Sequence, residues 1–169
     1  NAKGKVSRNF RRWGRLYHLA HGTEVNPILL NSWEGVYFNI DEPKMAAMMQ
    51  DIADMGGELF VMDDGWFGPR DDDSSSLGDW EVDTRKLPHG IKGLTDEAAR
   101  RGVKFGIWIE PEMVNSNSRL YKEHPEWVIK AANRDIIQGR GGTQLVLDLA
   151  NPKVQDFIVN MVDTLMTNN

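Results

Sequence analysis

Short apolar runs separated by glycine, proline and acidic residues recur along this chain. They cover residues 28–33, 58–63 and 103–109. A short apolar run bounded by turn-forming residues is the usual pattern of a buried β-strand. The sequence therefore predicts three strands, and shorter strand-like pieces follow at residues 127–129 and 144–148.

The segments between these strands contain apolar residues at helical spacing. Residues 41–55 open with Asp41, a side chain suited to the N-terminus of a helix, and place a row of methionines on one face. Similar spacing predicts helices over residues 90–101 and 152–166, with a short one near residues 118–124.

The alternation of strands and helices predicts βαβ units around a parallel sheet. Two architectures fit, an open doubly wound sheet and a (β/α)8 barrel. Open sheets usually carry a glycine-rich turn after the first strand, whereas here that strand ends in Asn31-Ser32-Trp33-Glu34. We therefore predict an α/β fold, a partial (β/α)8 TIM barrel comprising the first three to four βα units, over residues 27–169. Residues 1–26 are basic and irregular, and we expect a connector from a preceding domain.

The amino-acid composition argues against several classes of protein. The 169 residues carry 20 Lys+Arg against 25 Asp+Glu, a net charge of −5, whereas nucleic-acid binders usually present a basic surface. The absence of cysteine excludes disulfides and thiolate metal sites. We find neither a membrane-spanning apolar run nor a signal peptide, so we expect a cytoplasmic location without membrane or nucleic-acid partners. The Asn residues at both ends indicate a piece of a longer protein.

Candidate chemistry lies where the predicted strands end. Acidic and aromatic residues share the segments 31–34, 63–66 and 108–112. In a barrel, the carboxyl ends of the strands form the active-site face. Carboxylates accept hydrogen bonds from sugar hydroxyls, and indole rings pack on the apolar face of a pyranose. The candidate sugar-binding residues are Trp33, Asp63, Asp64, Trp108 and Arg140.

Each candidate also has a purely structural interpretation. The paired aspartates could form a turn or cap a helix, and the two tryptophans could fill a barrel core. Arg140, between glycines, could be a solvated side chain at a hairpin tip, and Glu110 and Glu112 could pair with basic residues at the rim. Adjacent side chains of a strand point in opposite directions, so both aspartates can face one ligand only if the chain turns, which Gly65 permits.

The sequence carries no motif for a metal or an organic cofactor. It contains neither a phosphate-binding loop, a dinucleotide fingerprint nor the strand–turn–helix of a serine nucleophile. Metal-ligand spacing is missing among the histidines, which are His18, His21, His89 and His124.

Longer motifs follow one another from residue 27 to the C-terminus. They are Pro27-Ile28-Leu29-Leu30-Asn31-Ser32-Trp33-Glu34, Leu59-Phe60-Val61-Met62-Asp63-Asp64-Gly65-Trp66-Phe67-Gly68, Gly78-Asp79-Trp80, Phe105-Gly106-Ile107-Trp108-Ile109-Glu110-Pro111-Glu112-Met113 and Leu147-Asp148-Leu149-Ala150-Asn151-Pro152. In this order they closely resemble glycoside hydrolase family 36, the bacterial-type α-galactosidases.

The resemblance implies a retaining α-galactosidase for melibiose- or raffinose-type oligosaccharides, without metal or cofactor and often homo-oligomeric. It implies that Trp33 packs on the sugar, that Asp63 and Asp64 bind galactose hydroxyls, and that Trp108 and Arg140 belong to the same site. In the family both catalytic aspartates lie on later strands, the nucleophile in a Lys-Trp-Asp motif that this chain lacks. The resemblance therefore places no catalytic residue before Asn169.

Two other hypotheses remain at this point. The chain could be a non-catalytic sugar-binding module, although a partial barrel would leave an open strand edge and exposed helix faces. It could also be a complete hydrolase that uses Asp63 or Asp64 together with Glu110, which contradicts the assignment in the family.

Overall fold

A three-stranded parallel sheet lies at the centre of the molecule. The computed structural model describes residues 2–19, 22 and 24–169. Four residues of the predicted connector lie outside the described residues: Asn1, Ala20, His21 and Thr23. The strands are β1 (Leu29–Asn31), β2 (Leu59–Met62) and β3 (Lys104–Ile107), in that order across the sheet. Both strand pairs are parallel, which confirms the predicted α/β class.

The first strand is shorter than predicted. It ends at Asn31, and Trp33 begins a short helix, α2 (Trp33–Val36), instead of extending the strand. The backbone nitrogen of Trp33 donates to the Asn31 side-chain oxygen at 2.7 Å, a local bond that turns the chain out of the sheet.

Two predicted helices cover the sheet, α3 (Glu42–Asp54) and α4 (Gly90–Arg100). Asp41 precedes α3 and its Oδ1 accepts from the backbone nitrogen of Lys44 at 2.8 Å, as expected for an N-cap. Helix α3 packs on β1 and β2, and α4 packs on β3. Their buried apolar residues are Met45, Met49, Ile52, Ile91, Leu94 and Ala98.

The segment between β2 and α4 differs from the polar loop that the sequence predicts over residues 65–88. Phe67 and Val82 form an isolated antiparallel bridge inside it. The Lys86 ammonium donates to three backbone carbonyls within 3.0 Å, a set of bonds that fixes the course of the segment. The segment also adds large apolar side chains to the core: Trp66, Phe67, Leu77, Trp80 and Leu87.

A small antiparallel unit follows the three parallel strands. Strand β4 (Met113–Asn115) pairs antiparallel with β5 (Gln144–Val146), with α5 (Arg119–Glu123) between them in sequence and α6 (Pro152–Thr167) after them. This unit has its own core of Val114, Leu120, Trp127, Val128, Leu145, Leu147 and Val154. The predicted strand at 127–129 is wrong, because Trp127 closes a 3₁₀ turn and Val128 makes only an isolated bridge.

The N-terminal segment is a helix, which corrects the prediction of irregular structure. Helix α1 (Ala2–Tyr17) contains no proline and is rich in arginine, a good helix former. Val6, Phe10 and Trp13 follow helical spacing, yet each side chain is more than half exposed. Across the described residues, no helix is both long and apolar enough to span a bilayer.

Candidate functional site

A cavity of about 380 Å³ opens at the carboxyl ends of the three parallel strands. Its lining is Trp33, Asp63, Asp64, Trp108, Ile109, Glu110, Glu112 and Arg140. The structure therefore brings together all five residues predicted from the sequence. Glu110 and Glu112, which were not among the predicted sugar-binding residues, also line the cavity.

Asp63 is held by residues at the end of β1. Its Oδ2 accepts from the Asn31 amide at 2.6 Å, and its backbone nitrogen donates to Ser32 Oγ at 3.0 Å. The other carboxylate oxygen accepts from the backbone nitrogen of Asp64 at 2.8 Å. These bonds fix the orientation of the carboxylate, and each oxygen keeps a further lone pair for a ligand in the cavity.

Asp64 is buried and its carboxylate faces an arginine. Arg70 donates from Nε to Oδ1 and from Nη2 to Oδ2, both at 2.7 Å, and both side chains are almost fully buried. Such a planar, two-bond pair is stronger and more directional than a single hydrogen bond. Asp64 therefore lines the cavity as one half of an ion pair and not as a free carboxylate.

The chain turns at Gly65, as the sequence required if both aspartates were to reach one cavity. Gly65 has φ +111°, and a Cβ atom at this position would lie 3.1 Å from Phe38 Cα. A larger residue would therefore meet both backbone strain and a close backbone contact. The turn lets Asp63 and Asp64 line the same cavity although they are adjacent in sequence.

The two candidate tryptophans are neither buried in the core nor fully exposed. Trp33 contacts Tyr37 and Phe38 edge-on, at ring separations of 5.3 and 5.0 Å. The Trp108 ring lies 6.4 Å from that of Trp80, and its carbonyl accepts from Trp66 Nε1 at 2.9 Å. Both rings are half-buried and line the cavity. The alternative interpretation, in which the two tryptophans only fill a barrel core, does not describe the structure.

Glu110 is the unusual carboxyl group of the cavity. Its Oε2 is buried without a hydrogen-bond partner in the part of the chain that the structure describes. Burial raises the pKa of the Glu110 carboxyl, and the nearby carboxylates of Glu112 and Asp64 raise that pKa further. The Arg140 guanidinium acts in the opposite direction and lowers the pKa. Within the described residues, neither glutamate forms a salt bridge, which removes the support for a rim ion pair.

Arg140 begins a 3₁₀ turn, Arg140–Gly142, on the segment that leads into β5. Its side chain is 61% exposed, as a solvated hairpin tip would be, but it also forms part of the cavity wall. Its Nη1 lies 3.6 Å from Asp73 Oδ1, too far for a hydrogen bond but close enough for charge attraction. The arginine thus contributes a partly exposed basic side chain to a lining that is otherwise rich in carboxylates.

Sequence reasoning missed Arg70, Asp73 and Asn115. Arg70 is completely buried, and Asn115 Oδ1 accepts from the backbone nitrogen of Leu77 at 2.8 Å. Arg70 and Asp73 belong to a segment without apolar periodicity, and their contacts depend on its folded course. No local pattern in the sequence indicates them.

A larger cavity, of about 590 Å³, lies between α3 and α4. Its charged residues are already paired with one another, as in the contact of Glu42 with the His89 ring and of Glu97 with Arg100. It lies on the helices and not at the strand ends, so we assign the candidate site to the smaller cavity. No group of three or more His, Cys, Asp or Glu residues able to hold a metal occurs in residues 2–19, 22 and 24–169.

A family model described as Melibiase matches residues 3–169. The chain belongs to the Melibiase family. The α-galactosidase AgaA of Geobacillus stearothermophilus is 45% identical over 152 residues, which cover 90% of this chain and 21% of that protein. α-Galactosidase 2 of Hypocrea jecorina is 41% identical over 177 residues, which cover 98% of this chain and 24% of that protein. This Melibiase-family chain thus spans between a fifth and a quarter of the length of these relatives.

Solved structures agree with the family assignment. The crystal structure of AgaA superposes with a TM-score of 0.82 at 44% identity, covering 88% of this chain and 20% of that one. A variant of AgaA in complex with raffinose superposes with a TM-score of 0.86 at 42% identity, covering 95% of this chain and 22% of that one. The Melibiase-family chain therefore has the α/β fold of the corresponding region of these enzymes.

Proposed function

We propose that the protein containing this chain is a retaining α-galactosidase that removes terminal α-galactosyl residues from melibiose- and raffinose-type oligosaccharides. The chain would supply residues that bind the galactose ring. The observation that carries the proposal is the cavity at the strand ends, where carboxylates, indole rings and a guanidinium meet in a chain similar to α-galactosidases. Variants of the similar enzyme AgaA have been crystallised with raffinose and with stachyose, which supports the substrate class.

The roles proposed for the cavity residues follow from their chemistry. Asp63 and Asp64 accept hydrogen bonds from sugar hydroxyls, and Arg140 donates to hydroxyl oxygens. Trp33 and Trp108 pack against the apolar face of the ring. A site built to hydrogen-bond a hydroxyl discriminates against sugars that misplace it, because its polar groups are then left unpaired.

We further propose that residues 27–169 form the first three βα units of a (β/α)8 catalytic barrel, and that residues 1–26 connect it to a preceding domain. The parallel order of β1, β2 and β3 and the position of the cavity at their carboxyl ends support this. Homo-oligomeric assembly and a cytoplasmic location remain predictions from the sequence.

The catalytic pair of the proposed reaction is assigned to residues outside this chain. Retention of configuration needs one carboxyl group as nucleophile and another as acid and base, about 5–5.5 Å apart. Here Asp64 is engaged on both oxygens by Arg70, and Asp63 by Asn31 and a backbone nitrogen. Because these bonds hold the carboxylates in place, they suit sugar binding better than attack on the anomeric carbon.

The proposal is tested in the complete protein with p-nitrophenyl-α-galactoside as substrate. We expect Asp63→Ala and Asp64→Ala each to lower kcat/KM by at least about 100-fold, or about 2.7 kcal/mol. Asp51→Ala, the same change on the exposed face of α3, serves as control and should retain normal kinetics. Near-normal kinetics in both cavity variants would refute the assignment, whereas galactose binding without hydrolysis by the wild type would favour a non-catalytic sugar-binding module.

A further inference from the structure

Four side chains of alternating charge form a row that connects two parts of the cavity wall. In order they are Asp64, Arg70, Asp73 and Arg140. Asp64 pairs with Arg70 through two bonds of 2.7 Å. The Asp73 Oδ1 atom then lies 3.6 Å from Arg70 Nη2 and 3.6 Å from Arg140 Nη1. The outer members, Asp64 and Arg140, line the cavity, and the inner members come from the segment between β2 and α4.

Arg70 is fixed from several directions. Its side chain is 0% exposed, and Nη1 donates to the Ser75 carbonyl at 2.6 Å. The guanidinium also lies 5.4 and 5.7 Å from the rings of Phe38 and Phe67, a range in which aromatic faces attract cations. A buried guanidinium held in this way has no freedom to follow a moving carboxylate, so it determines the position of Asp64.

Asp73 lies between Arg70 and Arg140, and its carboxylate is too far from either guanidinium for a hydrogen bond. Its Oδ1 is buried and has no hydrogen-bond partner among the described residues. Its carbonyl oxygen accepts from the Asn115 amide at 3.3 Å and lies beside Gly141, the residue after Arg140. A carboxylate between two guanidiniums offsets their mutual repulsion and attracts both, which favours one position for the more exposed Arg140.

We propose that Arg70 and Asp73 are positioning residues, Arg70 for the Asp64 carboxylate and Asp73 for the Arg140 guanidinium, so that one acceptor and one donor face the same sugar at a fixed separation. The proposal rests on the function proposed above. Neither inner residue lines the cavity, so each acts through its partner and not by touching the sugar. The separation between acceptor and donor then helps to select which pair of hydroxyls can be bound together.

The position of Arg140 is tested by a double-mutant cycle in the complete protein, with p-nitrophenyl-α-galactoside as substrate. Asp73→Asn keeps the shape of the side chain and removes its charge, and we expect KM to rise about tenfold while kcat changes little. In an Arg140→Ala background, the same change should have almost no further effect, because its target is gone. Asp72→Asn is the matched control, since this exposed neighbour also loses its charge, does not line the cavity, and keeps in asparagine the oxygen that accepts from Ser74.

Arg70 is tested by Arg70→Lys, which keeps the charge but loses the two-bond geometry. We expect a loss of at least tenfold in kcat/KM, similar to the loss in Asp64→Asn and not additive with it. If Arg70→Lys does not fold, the Asp73 cycle alone decides. Effects of Asp73→Asn that persist in full without Arg140, or normal kinetics in both variants, would overturn the positioning roles. An inactive wild-type protein would instead refute the proposed function itself.

Discussion

At the scale of single residues, the Glu110 carboxyl links the cavity to the pH dependence of stability. Burial raises its pKa, and the carboxylates of Glu112 and Asp64 add to the effect against the opposing guanidiniums of Arg140 and Arg70. The folded protein therefore binds the Glu110 proton at a higher pH than the unfolded chain does. Ionisation of this group then lowers stability as the pH rises above the ordinary glutamate value of about 4.3.

We predict that Glu110→Gln stabilises the complete protein at pH 7 and has little effect at a pH below the ordinary glutamate range. Glutamine resembles the protonated acid, so it removes the cost of ionisation without changing the shape of the side chain. Thermal unfolding midpoints at the two pH values measure the difference. Glu123→Gln, on the exposed end of α5, should show no such dependence on pH. Equal effects of Glu110→Gln at both pH values would contradict the prediction.

Most of the cavity residues that could be predicted from the sequence lie at strand ends. Asp63, Asp64 and Trp108 follow recognisable strands, so their position at one edge of the sheet follows from the fold class. The bond between Asp64 and Arg70 could not be predicted in this way, because it depends on the folded course of a segment without periodicity. The sequence therefore predicted which carboxylates face the cavity but not what holds them.

At the scale of elements, the helices were predicted better than the strands. A capping residue such as Asp41 marks a helix start locally, and its side chain accepts the expected backbone bond. Asn151 does the same at the start of α6, although the sequence analysis did not single it out. Strand pairing is a long-range property, and the antiparallel pairing of β4 with β5 has no equivalent in a regular βα repeat. Helix α1 was not predicted, because it is mostly basic and polar and buries none of its side chains, so it lacks the apolar core-facing row that marks the other helices.

The cap of α3 gives a prediction at this scale. Asp41→Ala removes the acceptor for the Lys44 nitrogen, and we expect it to lower the free energy of unfolding by about 1 kcal/mol. Asp41→Asn retains the acceptor oxygen and should lose much less. Denaturant unfolding of the three proteins measures the difference. Equal losses in both variants would show that charge, through the ion pair with the Lys44 ammonium, matters more than the cap.

At the scale of the whole molecule, two kinds of surface are left without cover by the described residues, the edges of the sheet and an apolar face of α1. The sheet ends at β1 on one side and β3 on the other, and short strands at both edges offer unpaired backbone groups. Helix α1 exposes Phe10 and Trp13 on the same face. Isolated soluble proteins seldom expose apolar surface in this way, so the chain alone has surfaces that favour association.

We predict that a polypeptide of these 169 residues alone self-associates, with a mean mass that rises with concentration. Sedimentation equilibrium measures this directly. Replacing Phe10 and Trp13 by serine should reduce the association, because it removes two large exposed apolar side chains from α1. Replacing Arg8 and Arg12 of α1 by serine is the control. A monomer at every concentration would contradict the prediction.

The contact between Asp73 and Arg140 also has a consequence for the order in which the protein is made. The acceptor side of the cavity, with Asp63 and Asp64, belongs to β2 and the segment after it. The donor, Arg140, lies in the turn before β5, so it takes its position only when β5 has been synthesised and paired with β4. On a ribosome, the two carboxylates and their first counter-charge, Arg70, therefore emerge well before Arg140, so the donor that faces the sugar is added only by a later stretch of the chain.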